Sequence, residues 1–387
     1  MTTTRRWRRA RTFAIVLLLA GCSDRQQVVS EVGLPSPEKE PLRSLLDMGD
    51  ISFYGKDSTV PTFDPAEIEP FAGSFGGMII NARWDQLQPG GPTKLAMGNP
   101  IDQALKQVSA FNEAHPDAQI GVKLRVYGGF AAPIWAQMIG GPPIAAEIQH
   151  GRAGTVGRWW DPQYIAAWRD LQTMLASAYD GNPLVREVAV TSCAAATDEP
   201  FISFDASGIA ALQTAGYTDE LQEKCLTGAV TDYEPWTATS IDFTFNPFHR
   251  YDSGQTVVDP MFTKTVMALC ASAPHCVLSN HTLNDPLRSA DSPVYDEMQV
   301  LYSAEPRSAT VDFQTAAPCQ LDWCGAISNA VTLHASSVEL WPGPVLGGGF
   351  TTLTSAQVAN LAEALSHGQM PLASACPPPP PGCASSS

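Results

Sequence analysis

Eight short apolar runs, separated by stretches with helical periodicity, constrain this chain more than any other feature. The runs fall at 51–54, 78–84, 120–127, 188–193, 241–246, 276–281, 311–315 and 338–341. Each is short, rich in β-branched or aromatic residues and flanked by turn formers, which is how a strand reads in sequence. Between them, 101–111 sets Ile101, Ala104, Leu105, Val108 and Phe111 on one helix face. Asp161-Pro162, Asp259-Pro260 and Ser292-Pro293 are helix starts, a capping residue followed by a proline suited to the first turn. The second helix carries the stripe Ile165, Trp168, Leu171, Met174 and Leu175, and Thr354-Ser355 opens a last helix through Leu365. Strands mostly followed by helices predict an α/β fold, a single-domain (β/α)8 TIM barrel over 47–367. The rival, a doubly wound open sheet, would be expected to carry a glycine-rich turn after its first strand, and no G-x-G-x-x-G stands there.

The two ends read differently from the body. Arg5, Arg6, Arg8, Arg9 and Arg11 precede an apolar run at 13–20 that is too short to span a bilayer, followed by Leu19-Ala20-Gly21-Cys22. This order fits an export signal, and the last four residues resemble a bacterial lipobox. That resemblance implies cleavage before Cys22, lipidation of its thiol and a place in the cell envelope facing outside the cytoplasm. A plain secretory signal is the alternative. Residues 1–21 are thus read as the signal peptide. Residues 22–46, with Pro35, Pro37 and Pro41, are read as a disordered, flexible tether, and 368–387 as a Pro-rich tail. The Cys22 lipid is the one membrane contact expected.

Charge and cysteine usage narrow the partners. The chain has 23 basic residues, five of them in the first dozen positions, against 39 acidic ones, for a net charge of −16. Phosphate backbones are held by clustered Lys and Arg, so nucleic acid is not an expected partner. Setting Cys22 aside leaves an even number of cysteines, which in an exported protein suggests disulfides. Their spacing favours the local pairs 193–225, 270–276, 319–324 and 376–383. No C-x-x-C or H-E-x-x-H occurs, so neither a metal nor any other cofactor is expected.

In such a barrel the active site lies at the C-terminal ends of the strands, and side chains alternate between inside and outside. If Val122, Leu124 and Val126 face the helices, then Lys123, Arg125 and Tyr127 face inward. The same reasoning turns Asp242, Thr244, Asn246, Asp312, Gln314, Glu339 and Trp341 inward. Buried charges must pair, so Lys123 and Asp242 read first as members of a structural ion network. Trp84, Trp135, Trp159, Trp160, Trp323 and Trp341 lie at strand ends or just beyond, where indoles can cover a sugar face or simply cap the core.

Ala196-Thr197-Asp198-Glu199-Pro200 after the fourth strand, Arg83-Trp84-Asp85-Gln86-Leu87-Gln88-Pro89 after the second, and Arg125-Val126-Tyr127 with Pro133-Ile134-Trp135 after the third resemble the clan-A glycoside hydrolases. They are nearest to the family 42 β-galactosidases. The resemblance covers about 50–345 and implies that Glu199 is the general acid, with a raised pKa. Two positions depart from it: Asp198 stands where Asn is usual, and Gln314 stands where the seventh-strand nucleophile would be. Glu339 is then the expected second carboxylate of an inverting pair. Its competing reading is a salt bridge to Arg83 or Arg125, and that of Glu199 is a solvated loop carboxylate. The Asp198–Glu199 pair is also similar to that of substrate-assisted hexosaminidases. Asp198, Arg83, Trp84, Arg125, Tyr127, Asn246, Asn280, His281, Gln314 and Trp341 are the expected substrate-binding residues. The leading reading is a lipoprotein hydrolysing O-glycosidic bonds of an extracellular carbohydrate. The alternative is a catalytically inactive carbohydrate-binding barrel, and a third class is a surface protein whose loops dock a partner.

Overall fold

The computed structural model describes residues 39–48, 68–148, 152–195, 197–305, 309–316, 322–340 and 353–376. Eight parallel strands close into a barrel: β1 (Ser44–Asp47), β2 (Phe75–Arg83), β3 (Gly121–Tyr127), β4 (Val185–Ala189), β5 (Ser240–Thr244), β6 (Cys276–Leu283), β7 (Thr310–Thr315) and β8 (Ser337–Leu340). Each pairs with its sequence neighbours, and β1 pairs with β8 through Leu46↔Glu339, so no edge is left open. The longer helices are α1 (Pro100–Ala114), α2 (Pro162–Tyr179), α3 (Ala206–Thr214), α4 (Asp219–Asp232), α5 (Pro260–Ser272), α6 (Ser292–Tyr302), α7 (Trp323–Thr332) and α8 (Ser355–His367). This is the expected (β/α)8 barrel, with two helices between β4 and β5. No helix among the described residues is long and apolar enough to cross a membrane.

Local chemistry explains the helix boundaries. The Asn99, Asp161 and Asp259 side chains accept backbone N–H bonds at the starts of α1, α2 and α5, each just before a proline. Thr354 and Gln357 form a reciprocal capping box at α8, which ends at Gly368 in the left-handed region. The outward strand residues Val122, Leu124, Val126, Phe243, Phe313 and Val338 join the helices in the main apolar core. Leu42, Leu46 and Ile79 form a separate apolar cluster on the inner side, flooring the barrel. Gly121 makes room for it, since a Cβ there would lie 2.6 Å from Leu42 Cδ2.

Two strands sit elsewhere than expected. The first is Ser44–Asp47, most of it inside the stretch read as tether; the run at 51–54 lies outside the described residues. Its two leucines divide between the barrel floor (Leu46) and the outer core (Leu45), a job that needs no β-branched residue. The fourth strand is Val185–Ala189, shifted from 188–193. Past its end the Thr191 hydroxyl bonds to the Val126 carbonyl and Cys193 adopts φ 65°, so the chain leaves the sheet.

The disulfides Cys193–Cys225 and Cys270–Cys276 are as expected. Cys324, however, pairs with Cys376 rather than Cys319, and Cys319 and Cys383 lie outside the described residues. Sequence spacing sees only short loops, whereas the packing of α8 on α7 brings residues 52 apart together. The segment after α8 is accordingly tied to the barrel through Cys376, with Leu372 N–H donating to Asn360 Oδ1, although sequence assigned it to the tail.

Candidate functional site at the barrel rim

A single ammonium organises the barrel interior. Lys123 Nζ contacts the Asp242 carboxylate, Asp312 Oδ2 at 2.6 Å, Glu339 Oε1 at 2.8 Å and Glu187 Oε2 at 3.1 Å. One layer higher, Arg125 holds Glu339 Oε2 at 2.6 Å and Asp198 Oδ2 at 2.9 Å. Burial alone would lower the Lys123 pKa, but these carboxylates overcome it and hold the group well above its ordinary value. Burial and the neighbouring Asp312 charge push Asp242 well up, against Lys123, and burial likewise raises Glu187. Oxygens of Glu187, Asp242 and Asp312 lie within 4.8 Å of one another, the spacing of a metal-binding triad. The Lys123 ammonium reaches all three, supplying the positive charge an ion would otherwise bring.

For Glu339 this arrangement fits the competing reading, a salt bridge to Arg125. Burial would raise its pKa, but Arg125 and then Lys123 overcome that and hold it far below the carboxylate range. It has no solvent exposure, and both its oxygens are in ion pairs.

Above the network, the loop after β4 brings Asp198 and Glu199 against His281 on β6. His281 Nδ1 is 3.5 Å from both Asp198 Oδ2 and Glu199 Oε1, and Nε2 is 3.0 Å from Thr244 Oγ1. Burial pulls the imidazole down, but Asp198 and then Glu199 push it up to about 9, so it is a cation at neutral pH. Glu199 responds in the opposite sense. Burial would raise it, but the His281 hydrogen bond and charge, the Asn246 amide and Arg125 hold it below its ordinary value. The raised pKa expected of a general acid is therefore not what this environment provides. Gln314 is 7% exposed, and its Oε1, like Arg125 Nη1, has no hydrogen-bond partner among the described residues.

Several expected binding residues are otherwise engaged. Arg83 is half-buried and bonds both oxygens of Asp85, at 2.9 and 2.6 Å. Trp84 is fully buried, edge-on to Trp135, Tyr164 and Trp168, with Nε1 donating to Gln88, so it is core and cannot cover a sugar. Trp159, Trp160 and Trp323 are buried as well. Tyr127 is buried and donates to Asn81 Oδ1 at 3.2 Å. Asn280 spends its amide on the Phe245 carbonyl and its oxygen on Thr282 and Tyr295, which leaves it structural. Asn246 remains partly exposed beside Glu199. Trp341 and Cys22 lie outside the described residues. Sequence reading missed Glu187, because a strand begun at Val188 omits it; the outward pair Val188 and Val190, which turns Ala189 and Glu187 the other way, was the available signal.

No protein-family model matches the sequence, and no curated protein matches it either. Among solved structures, the endo-glycoceramidase II of Rhodococcus sp. in its ganglioside GM3 complex superposes with a TM-score of 0.50 at 13% identity, over 85% of this chain and 81% of that one. The β-galactosidase of Rahnella sp. R3 superposes with a TM-score of 0.51 at 13% identity, over 86% of this chain and 58% of that one. The chain shares the (β/α)8 barrel architecture of these two structures. At this identity the likeness carries the architecture alone.

Two outcomes test the network of this barrel. Replacing Lys123 by Met leaves buried carboxylates without their shared cation, and is expected to cost about 3–5 kcal/mol or more in urea unfolding. A variant as stable as wild type would remove the ammonium from its organising role. Because the folded His281 pKa lies above its ordinary 6.5, its contribution to stability is complete below about 6.5 and is lost as pH rises through about 9. The stability difference between wild type and His281→Gln should therefore shrink between about pH 6 and about pH 10. A pH-independent difference would contradict the charge assignment.

Proposed function

We propose that this barrel holds a carbohydrate at its rim without hydrolysing it. The observation that carries the reading is the capture of Glu339 between Lys123 and Arg125. Glycoside hydrolysis usually needs two carboxyl groups in complementary protonation states on either side of the bond. Among the described rim residues considered for that pair, Glu339 is locked, Gln314 is a neutral amide and Glu199 is held as an anion. The same groups suit binding. A sugar hydroxyl both donates and accepts, and the rim offers the Glu199 carboxylate, the Asn246 amide and the Gln314 carbonyl.

A second reading, hydrolysis, is favoured by one observation. Asp291 is a buried carboxyl raised by its burial, with the Glu199 charge adding to the effect, whereas Glu199 is lowered. Two carboxyls pushed in opposite directions are the usual mark of an acid and a base. Glu199 would then be the base or nucleophile, reversing the role its sequence suggests.

A glycan array and a panel of chromogenic glycosides separate the two readings. The binder predicts saturable sugar binding without turnover, weakened roughly tenfold or more in Glu199→Gln, as loss of a hydrogen bond to a charged group implies. Turnover abolished by that substitution would replace the binder with the hydrolase, and failure to bind any sugar would remove both.

We also propose that the protein is exported and anchored through lipid on Cys22. Support comes from Leu19-Ala20-Gly21-Cys22 and from the three disulfides among the described residues, since disulfides persist in oxidising compartments. Metabolic labelling with a fatty acid should mark the wild-type chain in the membrane fraction and leave Cys22→Ala unlabelled. An unlabelled wild type would end the anchor reading.

A further inference from the structure

Asp198 and Glu199 stand on a segment without helix or strand, yet their carboxylates must meet His281 at a set distance. Three contacts hold that segment. Cys193 is bonded to Cys225 of α4. The Ala195 carbonyl accepts the Phe130 N–H at 2.9 Å, and the backbones come so close that a Cβ on Gly129, at φ +52°, would sit 1.7 Å from the Ala195 oxygen. The third is Gln222, one turn before Cys225 on α4 and fully buried. Its Nε2 donates to the carbonyls of Cys193 at 3.4 Å and Pro200 at 3.1 Å, and its Oε1 accepts from Trp159 Nε1 at 2.7 Å.

The two carbonyls that Gln222 joins lie on either side of Asp198 and Glu199 in the chain. One amide therefore closes the loop that carries both acids, and the Trp159 indole fixes that amide from behind. Each acid approaches His281 Nδ1 at 3.5 Å, where Coulomb energy changes steeply with distance in a buried setting. We infer that Gln222 is a positioning residue, setting how closely Asp198 and Glu199 face His281 and thereby the affinity of the rim for its sugar. The second half rests on the carbohydrate-binding reading; the first half does not.

The bland alternative is a buried amide that only stabilises the core, and a titration separates the two. In the full chain with its disulfides intact, the His281 midpoint is read by NMR of labelled histidine in wild type, Gln222→Leu and Gln222→Met. Positioning predicts that the variants drop the His281 midpoint from about 9 toward 6.5 by about one pH unit or more, since it is opposed charge at short range that raises it. They should also weaken binding of whichever array sugar wild type binds by roughly tenfold. A folded variant with an unchanged His281 midpoint overturns the inference, whatever its melting temperature. Should neither variant fold, the wild-type chain still decides. The Gln222 side-chain amide resonances must then shift with the His281 midpoint, and resonances flat across it overturn the inference. If no sugar binds wild type, the functional reading fails while the histidine titration still judges Gln222.

Discussion

The Lys123 ammonium is the constraint on which the rest of the interior depends. Four acidic side chains on four different strands converge on it, all of them buried, and burial pushes the Asp242 and Glu187 carboxyls up. Such a cluster stabilises only when every member is in register, because an uncompensated buried charge costs several kcal/mol. The barrel's register is consequently written in charge as well as in packing. It is also why Glu339 is spoken for: the position nearest to a catalytic carboxylate on β8 is needed to hold Arg125, and Arg125 in turn holds Asp198.

This linkage carries the interior up to the rim. Lys123 leads through Glu339 to Arg125, then through Asp198 to His281 and Glu199. Along that path basic and acidic groups alternate: Arg125 keeps Glu339 low, and His281 keeps Glu199 low. A site prepared in this way presents fixed charges to a ligand. The binding reading proposed above rests on these fixed charges.

Much of the fold was legible because alternation along a strand is a strong signal. The outward Val122, Leu124 and Val126 correctly turned Lys123 and Arg125 inward, and Ile241 and Phe243 did the same for Asp242. Ser44–Asp47 was not legible, since two leucines beside prolines look no different from a linker until Leu42 and Ile79 are seen to meet Leu46. The tryptophans misled for a related reason. Trp84 occupies a strand end, but whether an indole there faces solvent or the helices depends on Tyr164 and Trp168, which come from another part of the chain. Gln222 was invisible because the carbonyls it joins belong to the backbone, which leaves no trace in residue identity.

The Cys324–Cys376 bond spans the eighth strand and α8 within one covalent loop. A protease nick anywhere inside that loop would leave both fragments joined, so the final helix could stay seated against β1 and α7 after the backbone is cut. Such damage would escape a non-reducing gel and emerge only when thiols are freed. For a protein proposed to work in an oxidising compartment, the bond acts as insurance on the seam where the barrel closes.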